Sequence, residues 1–205
     1  MQVAIESMLS MQHRMNTRVH EDWIAQQFEW YRAAWIECGE LMDHLGYKWW
    51  KKQTPDMEQV RLEVIDIWHF GLSALFTPDC DITDLARQIA LDLDHAEPET
   101  PDIHAATEAL ALACLQQRGF SVPLFAQLMS ACGLSFDELH RHYIGKNVLN
   151  FFRQDHGYKT GEYRKMWQGR EDNEHLSDII ATLDSAKDSF ADDVYRRLAE
   201  RYPAE

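Results

Sequence analysis

Apolar residues recur at intervals of three and four along most of this chain, and no stretch alternates apolar with polar residues long enough to line a sheet. Asn-Gly hairpin dipeptides are absent as well. This periodicity predicts an all-α fold, a helical bundle with prolines and glycines marking the breaks. A first helix is expected over Ile5–Thr17 and a longer one, rich in Trp and Phe, from Asp22 to Leu45, stopped by Gly46. Tyr47–Gln53 reads as an aromatic and basic loop. Thr54 as N-cap, Pro55 at the first helical position and Asp56 in the first turn predict a helix reaching Leu75, before Pro78. Further helices are expected over Ile82–Leu93, Asp102–Arg118 and Pro123–Cys132, and from a capping box at Ser135 and Glu138 to Gln154. Glu97–Pro101, with two prolines, reads as a linker and Gly157–Asn173 as a long loop, ahead of a last amphipathic helix over Leu183–Arg201. With no internal repeat, residues 1–205 are expected to form a single domain.

Charge and cysteine usage narrow the setting. The formal net charge of −14 repels nucleic acid and anionic membranes, so neither is an expected partner. A hydrophobic content of 45% excludes an acidic disordered tail. Cys38, Cys80, Cys114 and Cys132 are widely spaced, without a CxxC pair, and read as reduced thiols. The start of the chain lacks the basic and apolar regions of a signal peptide, and no apolar run spans a bilayer. A cytoplasmic location is expected.

Two acidic pairs stand out: Glu37-Cys-Gly-Glu40 and Glu63-Val-Ile-Asp66. Each is spaced i, i+3, on one helical face. A solvated helix face is the ordinary reading of such a pair. Here, however, Trp35, Ile36 and Leu41 flank the first pair, and Leu62, Val64, Ile65, Ile67 and Trp68 crowd the second. Like charges against apolar surface are costly unless a cation neutralises them. Two antiparallel helices joined by a short loop would face the pairs into a hard, all-oxygen site suited to Mg²⁺, with Mn²⁺ as a substitute. His69, three residues after Asp66, raises a di-iron alternative, but that chemistry needs Glu-x-x-His elements, which the chain lacks. His69 itself reads equally as a ligand or as a hydrogen-bonded pocket residue, and Cys38 as a small core residue.

One segment opposes the overall charge. Lys146, Arg153, Lys159, Arg164, Lys165 and Arg170 face only Asp155 and Glu162 between residues 146 and 170, interleaved with amides and aromatics. A solvated basic loop is one reading; a phosphate clamp is the other. Joined to an acidic metal site, the second reading points to polyphosphate hydrolysis, in which cations bridge carboxylates to phosphate oxygens. No Walker loop or Ser-His-Asp arrangement competes for the chemistry.

Several blocks resemble a known family. Glu37-Cys-Gly-Glu40-Leu-Met-Asp, Tyr47-Lys-Trp-Trp-Lys-Lys and Glu63-Val-Ile-Asp66-Ile-Trp-His-Phe are similar to motifs of the all-α dimeric dUTPases, within the MazG-like nucleotide pyrophosphohydrolase superfamily. Gly145-Lys-Asn-Val-Leu-Asn-Phe-Phe-Arg-Gln, Gly157-Tyr-Lys-Thr-Gly-Glu-Tyr and Glu171-Asp-Asn resemble later motifs, and Met11-Gln-His-Arg-Met-Asn16 an early one. The resemblance runs over about residues 8–176, with no matched motif between Phe76 and Phe136. The ExxE and ExxD pairs identify only the superfamily; Tyr47-Lys-Trp-Trp-Lys with Asp66-Ile-Trp-His-Phe and the Gly145-Lys-Asn block are much more specific for dUTP.

The resemblance implies Mg²⁺-dependent hydrolysis of dUTP, and of dUDP, to dUMP by a homodimer, clearing dUTP and supplying dUMP for thymidylate synthesis. It implies that Glu37, Glu40, Glu63 and Asp66 hold the metal and carry catalysis, one of the first pair activating water. Gln12, Asn16, Trp50, His69 and Asn150 become candidates for the deoxyuridine pocket; amides can read both donor and acceptor groups of uracil, and an indole can cover its face. Lys146, Arg153, Tyr158, Lys159 and Lys165 become candidates for the phosphates. A sister enzyme acting on another nucleotide such as dCTP, or a non-catalytic helical protein that binds nucleotide or dimerises, remains open at this point.

Overall fold

A computed structural model describes residues 1–94 and 102–203. The all-α expectation holds. The helices are α1 (Gln2–Val19), α2 (Trp30–Leu45), α3 (Met57–Leu75), α4 (Ile82–Asp94), α5 (Ile103–Gln117), α6 (Val122–Ala131), α7 (Phe136–Asp155), α8 (Asp172–Thr182) and α9 (Phe190–Arg201). The sheet among the described residues is one small hairpin, β1 (Met166–Trp167) paired antiparallel to β2 (Arg170–Glu171). The chain forms two compact units, Met1–Leu139 and His140–Glu205, the division falling within α7.

In the first unit α2 packs along α3, with α5 against α2, and α1 against α3 and α4. The Asp56 N–H donates to the His44 carbonyl at 3.0 Å, while Glu37 meets Asp66 farther along. The two helices therefore run antiparallel. Their inner faces bury Ala34, Cys38 and Leu41 from α2, and Val64, Ile67, Trp68 and Leu72 from α3. Trp68 stacks on Phe125 at 4.5 Å. A side chain at Gly71 would collide with the Phe120 ring, so this close approach requires glycine.

Two helix starts differ from the sequence expectation. α2 begins at Trp30 rather than Asp22: residues 21–27 form turns, and Gln27 takes a left-handed φ of 49°, which no helix continues through. The aromatic periodicity there serves a different end, since Trp23 is buried, packs edge-on against Trp30 at 5.9 Å and donates from Nε1 to His13 Nδ1 at 3.3 Å. The cap of α3 is Asp56, not Thr54; its carboxylate accepts from the Gln59 N–H at 3.2 Å. Asp56 itself has φ −97° and ψ 88°, outside the helical region, so the helix begins after it. The capping box of α7 forms as expected: Glu138 N–H donates to Ser135 Oγ at 3.3 Å and Ser135 N–H to Glu138 Oε2 at 2.9 Å.

The second unit departs further. The expected loop Gly157–Asn173 contains a 3₁₀ turn at Tyr158–Thr160 and the hairpin, whose Gln168 and Gly169 have φ of 50° and 81°, the two left-handed residues of a tight hairpin turn. α8 was not expected. It is capped by Glu171 and Glu174, and it buries Leu176, Ile179 and Ile180 on one face. α9 is correspondingly shorter than predicted. Phe152, Trp167 and the buried faces of α8 and α9 form this unit's core.

All four cysteines are free; Cys38, Cys114 and Cys132 are buried and Cys80 is partly so. No helix among the described residues is long and apolar enough to cross a membrane. The linker expected at Glu97–Pro101 lies outside the described residues.

Candidate active site

Antiparallel packing of α2 on α3 turns Glu37 toward Glu63 and Asp66, bringing one oxygen from each within 4.8 Å of the others. Glu63 is buried, and His44 Nε2 lies 3.4 Å from its Oε1. Burial, then the charge of Asp66 and a hydrogen bond to Glu63, push the Glu37 carboxyl up to about 8 from its ordinary 4.5, with Glu63 and Glu40 adding their charges. The protonated form of Glu37 is thereby favoured. Glu40 is exposed and outside the close trio, acting on Glu37 through its charge. Such a set of hard oxygen donors, repelling one another in a partly dry groove, is chemically fitted to a divalent cation.

A buried polar chain links α1 to the same helix α3. Ser73 Oγ donates to the His69 main-chain carbonyl at 3.0 Å. Asn16 Nδ2 donates to Ser73 Oγ at 3.0 Å, and Gln12 Nε2 to Asn16 Oδ1 at 3.0 Å. Gln12 Oε1 lies 2.9 Å from His69 Nδ1. Three of the deoxyuridine candidates, Gln12, Asn16 and His69, are thus brought into one hydrogen-bonded group. Trp50 is not part of it: it stands 61% exposed on the loop after α2, edge-on to Tyr47 and Trp49.

In the second unit Arg153 forks onto Asp172, with Nε donating to Oδ2 at 2.8 Å and Nη2 to Oδ1 at 2.9 Å. Its Nη1 donates to Asn150 Oδ1 at 3.2 Å, and Tyr163 Oη donates to Asp172 Oδ2 at 2.8 Å. Burial alone would raise the Asp172 carboxyl, but Arg153 overcomes this, helped by Tyr163 and Lys146, and holds it below the usual range. Lys146 is buried and donates to Asn173 Oδ1 at 3.1 Å. The exposed Tyr158 ring lies 6.0 Å from the Arg153 guanidinium. Lys165 pairs with Glu171 at 3.1 Å, and Lys159 is exposed in the 3₁₀ turn.

Sequence reasoning missed Ser73, His44 and Asp172. Ser73 lies one turn after His69, and Asp172 stood inside the recognised Glu171-Asp-Asn block, yet neither type of residue announces a buried hydrogen-bonding role by itself. The first unit also holds a cleft of about 600 Å³ lined by Trp23, Phe28, Trp30, Phe76, Arg118 and Ser73, among others.

A family model described as dUTPase matches residues 4–158. No curated protein matches the chain at a significant level.

Proposed function

The chain belongs to the dUTPase family and is an enzyme of dUTP hydrolysis, and on that premise we propose that it converts dUTP to dUMP and pyrophosphate with Mg²⁺ held by Glu37, Glu40, Glu63 and Asp66. The observation that carries this reading is the gathering of Glu37, Glu63 and Asp66 within 4.8 Å, a crowding that raises the Glu37 carboxyl and that a cation would relieve. Bound there, Mg²⁺ (or Mn²⁺) supplies Lewis-acid polarisation of phosphate oxygens and eases deprotonation of the attacking water. One of Glu37 and Glu40 orients or activates that water. Glu63, buried beside His44, keeps the trio rigid.

Gln12, Asn16 and His69 read the uracil edge, Asn150 assists, and Trp50 closes over the base from its exposed loop. Lys146, Arg153, Tyr158, Lys159 and Lys165 neutralise the phosphates. A cytoplasmic homodimer acting also on dUDP completes the proposal.

Pyrophosphate release from dUTP, dCTP, dTTP and UTP, with Mg²⁺ and with EDTA, tests it. The expected result is release from dUTP alone among the four, abolished by EDTA. Hydrolysis indifferent to EDTA refutes the metal assignment, and preference for dCTP refutes the uracil pocket.

A further inference from the structure

We propose that Tyr202, the residue capping α9, is a positioning residue for the phosphate side of the site: it holds the segment Tyr163–Lys165 in the shape that aims Arg153 and presents Lys165 to phosphate oxygens. The inference rests on the reading of Arg153 and Lys165 as phosphate ligands given above.

Tyr202 owes its place to the core of the second unit. Phe190, Val194 and Leu198 follow one another at intervals of four along one helical face, and all three are buried. Tyr202 continues that series, and its N–H still donates to the Leu198 carbonyl at 2.9 Å. Four rings surround its own. It stacks on Tyr163 at 5.6 Å, with the planes 13° apart, and meets Trp167 and Phe152 edge-on at 5.2 and 5.3 Å. His156 is tilted against it at 4.8 Å. A ring enclosed in this way has little freedom, so its hydroxyl is fixed in space.

That hydroxyl is spent on the backbone. Tyr202 Oη accepts from the Arg164 N–H at 3.1 Å, and the Arg164 carbonyl accepts from Trp167 Nε1 at 2.6 Å. Residues 162–165 belong to no helix or strand, so these two side chains do for Arg164 what a hydrogen-bonded ladder does elsewhere.

The two neighbours of Arg164 both lead to Asp172. Tyr163 Oη donates to Asp172 Oδ2 at 2.8 Å, and the Asp172 N–H donates to the Lys165 carbonyl at 3.0 Å. Asp172 in turn carries the fork from Arg153. Lys165 meets Glu171 at 3.1 Å, with both side chains about half exposed, and a surface pair of this kind is worth little. Exchanging Glu171 for a phosphate oxygen is therefore cheap for Lys165, and where its main chain lies decides whether it reaches one. Tyr202 acts on both cationic groups through the segment it holds.

Equilibrium binding of inorganic pyrophosphate and of deoxyuridine, in metal-free buffer, tests the proposal. Tyr202→Phe keeps the stacked ring and removes the acceptor; because Arg164 is exposed, water takes over its N–H and the variant stays folded. Tyr202→Phe should weaken pyrophosphate binding at least about fivefold, the low end of coupling between linked sites, and deoxyuridine binding less. Equal losses for the two ligands, or no loss for pyrophosphate, overturn the proposal. Linkage supplies a measurement on the wild-type protein. If the held segment binds pyrophosphate better, pyrophosphate must favour the held segment, and it should slow hydrogen exchange at the Arg164 amide. Exchange there unaffected by saturating pyrophosphate overturns the proposal whatever the variant does. Lys165→Ala reads the phosphate assignment by itself. Unchanged pyrophosphate binding in Lys165→Ala overturns that assignment and the proposal with it, whereas a loss in Lys165→Ala without one in Tyr202→Phe overturns the role of Tyr202 alone.

Discussion

Glu37 shares a hydrogen bond with Glu63 across the α2–α3 groove, and burial, the charge of Asp66 and this bond favour its protonated form. The folded protein thereby binds this proton more tightly than the unfolded chain does. The raised carboxyl, about 8 against an ordinary 4.5, gives a pH window with a definite sign. Between those values the unfolded state has released the proton and the folded state still holds it, so the contribution of Glu37 to stability declines as pH rises through the window. Thermal melts in EDTA should fall from pH 5 toward pH 8. Mg²⁺ should stabilise most at the alkaline end, and titration calorimetry in buffers of different ionisation enthalpy should show proton release on binding. Absence of proton release at neutral pH would count against Glu37 as a ligand.

Replacing Glu63 by Gln or Asp66 by Asn keeps the shape and removes a charge from the trio, while Glu37→Gln keeps the shape and removes the carboxylate that Glu37 would offer a cation. Turnover of dUTP should fall by at least about 10²-fold, the scale of losing one electrostatic catalytic group. The EDTA-treated Glu63→Gln and Asp66→Asn variants should melt no lower than the wild type, since a like-charge repulsion has gone. Glu40→Gln should first raise the Mg²⁺ concentration needed for half-maximal turnover, with a smaller loss at saturating Mg²⁺, because Glu40 is exposed and lies outside the close trio. Near-normal turnover of Glu63→Gln at saturating Mg²⁺ would contradict the metal site.

Why the acidic site was readable and other features were not comes down to how each is encoded. The i, i+3 spacing of Glu37/Glu40 and Glu63/Asp66, together with Gly46 and a helix start near Pro55, is enough to turn Glu37, Glu63 and Asp66 toward each other, while Glu40 stays exposed outside the trio. The burial of Gln12, Asn16 and His69 in one polar group depends on how α1 lies on α3, which no local spacing gives. The start of α2 was misplaced because Trp23, Phe28 and Trp30 mimic a helical stripe while packing against one another in a turn. α8 was overlooked because its cap is a glutamate pair, Glu171 and Glu174, rather than the Ser or Thr that usually marks a capping box.

Asp172 is fully buried and its charge is matched by Arg153, itself largely buried. Asp172→Asn would leave the guanidinium without its partner, and breaking a buried pair this way costs about 3–5 kcal/mol. Denaturant melts should detect that loss. The same pairing predicts acid sensitivity: the lowered Asp172 carboxyl contributes stability above its ordinary value, and that contribution disappears as pH falls through the folded value. Unchanged stability in Asp172→Asn would mean that Arg153 finds another anion or water to satisfy it.

Hydrolysis of dUDP should proceed, with the penalty falling mainly on KM. The diphosphate already contains the bond between the α- and β-phosphates that must break to give dUMP. What it lacks is the terminal phosphate, whose charge Lys146, Arg153, Lys159 and Lys165 are proposed to neutralise. Losing contacts made equally in the ground state and the transition state weakens binding without slowing the chemical step. Attack at the β-phosphorus, the course implied by the family resemblance, places solvent oxygen in the pyrophosphate released from dUTP and in the phosphate released from dUDP. Hydrolysis in ¹⁸O-labelled water distinguishes the two courses. Label appearing in dUMP would show attack at the α-phosphorus, and inertness of saturating dUDP would show that the terminal phosphate is required for chemistry and not only for binding.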